Sequence, residues 1–455
     1  MKDHLILQEQ SKEELIRIIQ DQRREIEKLK VDLEKKNKLD EHKKFLRLDR
    51  LAKRSLRPRT PGQKEGHVGN TREKPKHIDR VVEQTLNKCP DCEHALSASQ
   101  EVTKHLQEDI VPAQVQVTCY LKHRYYCKHC QEMKTAPYAP EEIPYGYLGA
   151  NVLIQTAILK YSHGLPFNKI KEVFEGLCGL QVTEGALAQC LQRMSEWLKV
   201  EEDEILKAIR GSPHVHMDET GWKVSGAQNW LWASVNKLLA YYHVACSRGA
   251  KVAKEIIGEN YQGIICTDFY AAYNRVSGKK QRCLVHLLRT MREYRARDHS
   301  AEFIRHEKRL KRIVNDAIRL QERHSKLNTK IYKRRVKQIK QRLFTWSCGS
   351  YENENLKRLS KRFLKYWAQM LTFLDHPEIS YHNNLAERMI RPNVIIRNRS
   401  YQNRSRAGAD AHGTHMSLIQ TLKLQKRNIA EEMKQAYLSH RQGKNAPILN
   451  FASAR

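Results

Sequence analysis

The sequence predicts a multidomain α+β protein whose α/β core is interrupted by a basic helical insertion. Three observations lead there. Residues 211 to 285 alternate apolar and polar positions in short runs broken by one helical stretch. Two of those runs carry an aspartate where a core residue is expected, Asp218 in HMDETGW and Asp268 in GIICTD. Between Asp268 and the next acid of interest, Glu387, lie 118 residues, more than one helix and its connections need.

Composition narrows the partners. Of 455 residues 82 are Lys or Arg and 51 are Asp or Glu, a formal charge of +31. So large an excess points to a polyanion, nucleic acid first. No stretch approaches the roughly 18 apolar residues of a membrane span, so no membrane partner is expected. The start, MKDHLILQEQSKEEL, lacks the apolar centre of a signal peptide, and a cytoplasmic protein is expected.

The elements follow in order. Residues 1–50 predict a coiled coil. Leu15, Ile19, Gln22, Ile26, Leu29 and Leu33 step by four and three, and 12–48 contain no Gly or Pro. Self-association follows from that seam; a lone amphipathic helix is the plainer alternative. Residues 51–80 are a basic, Gly- and Pro-containing linker. Residues 81–140 predict a zinc ribbon, because CPDC (Cys89, Cys92) and CKHC (Cys127, Cys130) are two tight turns that each aim two sulfurs at one point. The 34 residues between the pairs include QVQVTCYLKHRYYC, which can form a hairpin between them. Cys119 is expected in the core, with His94 and His129 exposed. Residues 145–210 are helical, with Thr183 as an N-cap, and resemble a helix-turn-helix; Gln189, Gln192 and Arg193 are what that second helix offers to bases, and plain packing is the alternative.

Residues 211–285 and 381–425 then form the core. PHVHMDETGWKV, NWLWASVNK and LAYYHVACS are three strands, AKVAKEIIGEN a helix and GIICTD a buried strand. That order opens a ribonuclease-H-like fold and sets Asp218 and Asp268 facing each other. Paired carboxylates raise one another's pKa unless a cation lies between them, and oxygen ligands at an open position suit Mg²⁺ or Mn²⁺. HNNLAERMIRP supplies a third acid: Asn383, Asn384, Glu387, Arg388 and Arg391 share a face at helical spacing, a metal ligand within a phosphate-binding surface. Residues 286–380 are the insertion, with fifteen Lys or Arg within 301–345, suited to clamping DNA or simply a solvated hairpin. Cys283 and His286 in CLVHLL form one Cys-x2-His pair, too few to close a zinc site, and are expected to pack at a strand end. Residues 426–455 are a C-terminal tail.

Taken together, HMDETGW, TDFYAAYN and NNLAERMIRP resemble the Asp-Asp-Glu motifs of bacterial DDE transposases, most closely the insertion-sequence 66 family. PGQKEGHVGNTRE, the cysteine pairs, IPYGYLGANVL and the Arg- and Gly-containing stretch after Glu387 extend the likeness over most of the chain. RNRSYQ and the tail depart from the family's pattern. The resemblance implies metal-dependent DNA cleavage and strand transfer, with Asp218, Asp268 and Glu387 holding divalent ions and Arg388 and Arg391 helping to hold phosphates. It implies element ends and target as double-stranded DNA partners, a homodimer or larger assembly, possible helper proteins of the same element, and a bacterial, nucleoid-associated setting. Two other functions fit the same residues: a catalytically silent zinc-ribbon DNA-binding regulator, and a metal-dependent nuclease without strand transfer.

Overall fold

The computed structural model describes residues 77–441 except 112 and 145, together with 443, 447 and 449. The expected coiled coil and the linker up to residue 76 lie outside the described residues. The contacts divide the chain at Asp109 into two units.

The second unit begins with a small hairpin, β1 (Arg124–Cys127) and β2 (Glu132–Thr135), which pairs antiparallel around the second cysteine knuckle. The hairpin expected between the two knuckles is therefore found around one of them, because the turn Cys127–Cys130 itself reverses the chain. Cys119, expected in the core, is exposed.

Helices follow: α1 (Ala150–Ala157), α2 (Phe167–Cys178), α3 (Glu184–Trp197) and α4 (Lys199–Arg210). Thr183 caps α3 as expected, its hydroxyl accepting the Ala186 N–H at 3.2 Å. The apolar faces of α1, α3 and α4 join the sheet in one core, with Leu191 and Met194 among the same cluster as Val215 and Trp232. Helix α3 packs on a later core helix, where Gln192 lies 3.5 Å from the Ser405 hydroxyl and the Leu191 carbonyl lies 3.0 Å from His415. Packing thus accounts for one face of this helix.

The sheet is built from β3 (His214–Val224), β4 (Ala227–Val235) and β5 (Ala240–Ala245) as an antiparallel meander, then α5 (Ala250–Ile257), then β6 (Ile264–Thr267) and β7 (Lys279–Arg282). Its order is β5-β4-β3-β6-β7, with β6 parallel to both neighbours. The predicted order of meander, helix and strand is the order observed.

Next come α6 (Leu284–Arg297), α7 (Ala301–Glu322), α8 (Thr329–Ser347), α9 (Glu354–Met370) and the short α10 (Thr372–Asp375). They enclose a core of their own, including Leu310, Ile313, Leu343, Trp346 and Phe363. The chain then returns to the sheet as α11 (Asn384–Ser400), α12 (Arg406–Leu424) and α13 (Ile429–Arg441).

Side chains cover both sheet edges. On β5 the Ala240 and Tyr242 N–H groups donate to the hydroxyls of Thr421 and Ser417 on α12, at 3.0 and 2.9 Å. Gly413 permits that approach, since a Cβ there would stand 3.0 Å from the Tyr242 carbonyl oxygen. At the other edge the Thr372 hydroxyl donates to the Lys280 carbonyl at 2.7 Å, and Gln281 accepts the Phe373 N–H at 2.8 Å. An uncovered edge is a template for unwanted strand pairing, and these bonds close both.

Candidate active site

The site forms where the sheet divides. Strand β3 pairs with β4 from His216 to Val224, but with β6 only over His214–His216. The register sets His216 beside Cys266, so Asp218 and Asp268 occupy equivalent positions two residues further on. Equivalent positions on adjacent strands project to the same side. The chain after β6 turns away at Asp268, whose carboxylate accepts the Tyr270 N–H at 2.8 Å.

Asn383 fills the gap left beside β3. It is 1 % exposed; its amide donates to the Met217 carbonyl at 2.8 Å, and its carbonyl lies 3.1 Å from His216 Nδ1. Burial lowers the His216 pKa to about 4, so the ring is neutral. Arg397, further along α11, donates to the Thr220 hydroxyl at 3.0 Å. Helix α11 is thus tied to β3 on either side of the register position of Asp218, with Glu387 in its first turn.

Electrostatics reports the convergence. The Asp218 pKa is raised to about 7, chiefly by burial, then by the charge of Glu219, with Asp268 and Glu387 adding to it. The acids separated by 118 residues are therefore close enough for Asp218 to feel their fields. Glu387 stands 3.7 Å from His286 Nε2, and its Oε1 is buried without a hydrogen-bond partner. A buried carboxylate oxygen without a hydrogen-bond partner, on an acid whose charge reaches Asp218, fits a divalent cation, which supplies positive charge. Among the described residues no group of three or more His, Cys, Asp or Glu side chains is already drawn into a metal-holding arrangement.

Glu219 is differently placed. Its Oε1 accepts two bonds from Arg248, at 2.9 and 2.7 Å, and its Oε2 accepts from the Tyr273 hydroxyl. Arg248 in turn lies over the rings of Trp230 and Tyr270. A carboxylate so satisfied has little left to give a metal.

The remaining expected residues divide. Asn383 belongs to the wall of the site, not to a solvent-facing surface shared with Glu387: as the residue preceding α11 it points into the sheet. Asn384, Arg388 and Arg391 are exposed. Cys283 does pack at a strand end, its sulfur accepting the Asn383 N–H at 3.2 Å. His286 does not; it lies on α6, facing Glu387. Sequence reasoning missed that contact, and it missed Arg282. Fully buried on β7, Arg282 donates to the Asp268 carbonyl at 2.8 Å and to Gln369 of α9 at 2.8 Å. The CLVH pair was the only signal for His286; a lone Arg in a strand gave none.

Each cysteine knuckle is described within its own unit. In the first, the Cys89 N–H donates to the His94 carbonyl at 3.0 Å and Glu93 takes φ 60°. In the second, the Cys130 N–H points at the Cys127 sulfur at 3.5 Å and Gln131 takes φ 54°. The same left-handed residue follows the second cysteine of each pair. Hydrogen bonds from Asp91 and Cys92 lower the Cys89 thiol pKa, and those from Cys130 and His129 lower that of Cys127. Turns that favour the thiolate suit zinc ligands.

An acid-centred site in a mixed α/β core, on a strongly basic chain, defines a protein that handles nucleic acid. The comparisons make the class specific. A family model described as "Transposase IS66 family" matches residues 145–411, and the chain belongs to that family. It is similar to two proteins of Sinorhizobium fredii. One, named uncharacterized protein y4jD, is 25 % identical over 383 residues, 77 % of this chain and 74 % of that protein. The other, uncharacterized protein y4qI, is 23 % identical over 389 residues, 76 % of this chain and 70 % of that one. Among the described residues no helix is long and apolar enough to cross a membrane.

Proposed function

We propose that this transposase cuts and joins double-stranded DNA by in-line attack at phosphodiesters, in a ribonuclease-H-like core with Asp218, Asp268 and Glu387 as its catalytic acids. The observation that carries the reading is the raised Asp218 carboxyl beside Asp268 and Glu387, with a Glu387 oxygen buried and unpartnered. Mg²⁺ or Mn²⁺ held by these three acids would supply the Lewis acidity that activates an attacking hydroxyl and stabilises the leaving 3′-oxygen. The chain's own residues do the rest. Asn383 and Arg397 fix α11, and so Glu387, against β3. Arg282 steadies the backbone at Asp268. His286 stands beside Glu387 and limits its rotation. Arg388 and Arg391, exposed one turn apart on α11, hold phosphates.

The two Cys-x2-Cys spacings support Cys89, Cys92, Cys127 and Cys130 as ligands of structural zinc, and the joining of two element ends supports a dimer or larger assembly. Helper proteins of the same element, and a nucleoid-associated place in a bacterial cytoplasm, complete this reading.

Incubation with Mg²⁺ and a supercoiled donor plasmid tests it. Joined products are expected, and Asp218→Asn is expected to abolish them while DNA binding persists. Nicks without joining would make the protein a nuclease; shifted but uncut DNA would make it a regulator.

A further inference from the structure

The site draws on the insertion only through His286 and Gln369, and the charge of the rest is not spread evenly. On α7, Arg305, Lys308, Arg309 and Arg312 recur at helical spacing and are all exposed. Together with Arg342 from α8 and the aliphatic floor of Ile313 they line a cleft of about 340 Å³ that contains no acid. A second cleft continues from Arg342 past Arg319, Arg323 and Arg335. Its one acid, Asp316, is 2.9 Å from Arg342 and already engaged.

Solvated helix faces ordinarily alternate sign, because like charges three or four residues apart repel by about 0.2–0.5 kcal/mol a pair. Here nothing offsets that repulsion. Among the described residues no carboxylate forms an ion pair with Arg305, Lys308, Arg309 or Arg312. The acids nearest in sequence are occupied or hidden: Glu302 accepts the N–H groups of Glu352 and Asn353 at 3.1 and 3.0 Å, and Glu307 is buried. From Arg305 to Arg319 the row runs about 21 Å at the helical rise. That matches about six base pairs of duplex.

The geometry points to the α7–α8 groove as a second DNA site, one that grips the phosphate backbone of a duplex without reading its sequence. Arg and Lys supply every polar side chain of the acid-free cleft, and charges without amide side chains position a backbone more than they select bases. Only the identity of the polyanion rests on the proposed function; the groove itself rests on its own charges.

The test uses the full chain in EDTA, so that cutting plays no part, and labelled duplexes of unrelated sequence. Binding is followed by fluorescence anisotropy between about 50 and 200 mM salt, for the native protein and for Arg305→Gln/Lys308→Gln/Arg309→Gln/Arg312→Gln. Each lost phosphate contact lowers the salt slope by about 0.9. Four contacts make the native protein's affinity fall on the order of 100-fold more steeply across that range than the variant's. The loss should be equal for every sequence, with an unchanged melting temperature. An unchanged slope overturns the proposal, as does a loss confined to element ends. Competition by polyglutamate as effective as DNA at equal charge would overturn it in favour of an acidic protein partner. A protein that binds with this slope but never cuts would sink the proposed function and leave the groove standing.

Discussion

The sheet and the insertion each enclose an apolar core, yet they treat charge in opposite ways. Around the sheet, charged groups are taken inside: Glu219 and Arg282 are buried and Asp218 nearly so. In the insertion the interior is Leu, Ile, Phe and Trp, and with few exceptions the charges stand outside. A buried charge costs several kcal/mol unless something compensates it, so each one in the sheet implies a partner. An exposed charge costs almost nothing and implies one only when its neighbours share its sign. Site-directed changes should therefore act on stability in the first region and on binding alone in the second.

The largest effect is expected at Asp218. Asp218→Asn should reduce strand cutting on the order of 10³-fold or more, since it removes a carboxylate that would hold the ion stabilising the developing charge. The same change should stabilise the metal-free protein. With its pKa raised to about 7, the folded chain holds a proton that the unfolded chain has already released. Stability therefore falls as pH rises from the ordinary carboxylate range towards 7, and above that the penalty is complete, on the order of 4 kcal/mol. Urea unfolding at pH 8 in EDTA should show the variant the more stable. Added Mn²⁺ should raise the native protein's stability and leave the variant's nearly unchanged. A variant less stable than the native protein would show that Asp218 is not held among uncompensated acids.

Acid should expose the next difference. His412 and His415 on α12 are buried, with pKa values lowered by burial to about 3 and about 4. The unfolded chain takes up these protons near pH 6.5, the folded chain only far lower. Stability is thus full above pH 6.5 and declines below it, by up to about 1.4 kcal/mol per pH unit for each histidine. Melting followed from pH 7 to 5 should fall steeply in native protein. The slope should be shallower in His412→Gln, whose amide can take the place of Nε2 beside the Asn393 carbonyl, now 2.7 Å from the ring. Equal slopes would place the acid sensitivity elsewhere.

Arg248→Met is expected to cost about 2 kcal/mol in urea unfolding. It strips Glu219 of its cation, but the guanidinium is partly solvated, so the loss falls short of a fully buried pair. Arg248→Met/Glu219→Gln should recover most of it.

This contrast also explains what was legible. The strands and their order could be read, and Asp218 and Asp268 stood out as candidates because a carboxylate breaks an apolar alternation visibly within HMDETGW and IICTD. Thr183 was legible because capping is local. Arg282 and His286 were not, since each acquires its meaning from a partner far along the chain, Gln369 for one and Glu387 for the other. Asn383 misled for the same reason. Helical spacing put it on the face of Glu387, whereas its backbone sits one step before the helix and its amide replaces a missing strand partner. The hairpin near the cysteines was displaced because two alternating runs competed, and the tight turn at Cys127–Cys130 closed one of them.

The smallest effect tests the other half of the contrast. Among the described residues Arg309 forms no ion pair with a carboxylate, and Arg309→Gln relieves repulsion from Arg305 and Arg312 on the same face. Its stability should be unchanged or higher by about 0.2–0.5 kcal/mol, the scale of like-charge pairs on a helix. Duplex affinity at fixed salt should nevertheless weaken, and the salt slope should drop by about 0.9. A charge that is costless to remove from the fold and costly to remove from binding exists for the partner. If Arg309→Gln instead lowers the urea midpoint while the slope holds, the insertion's cations serve its own folding, and the division between the two regions disappears.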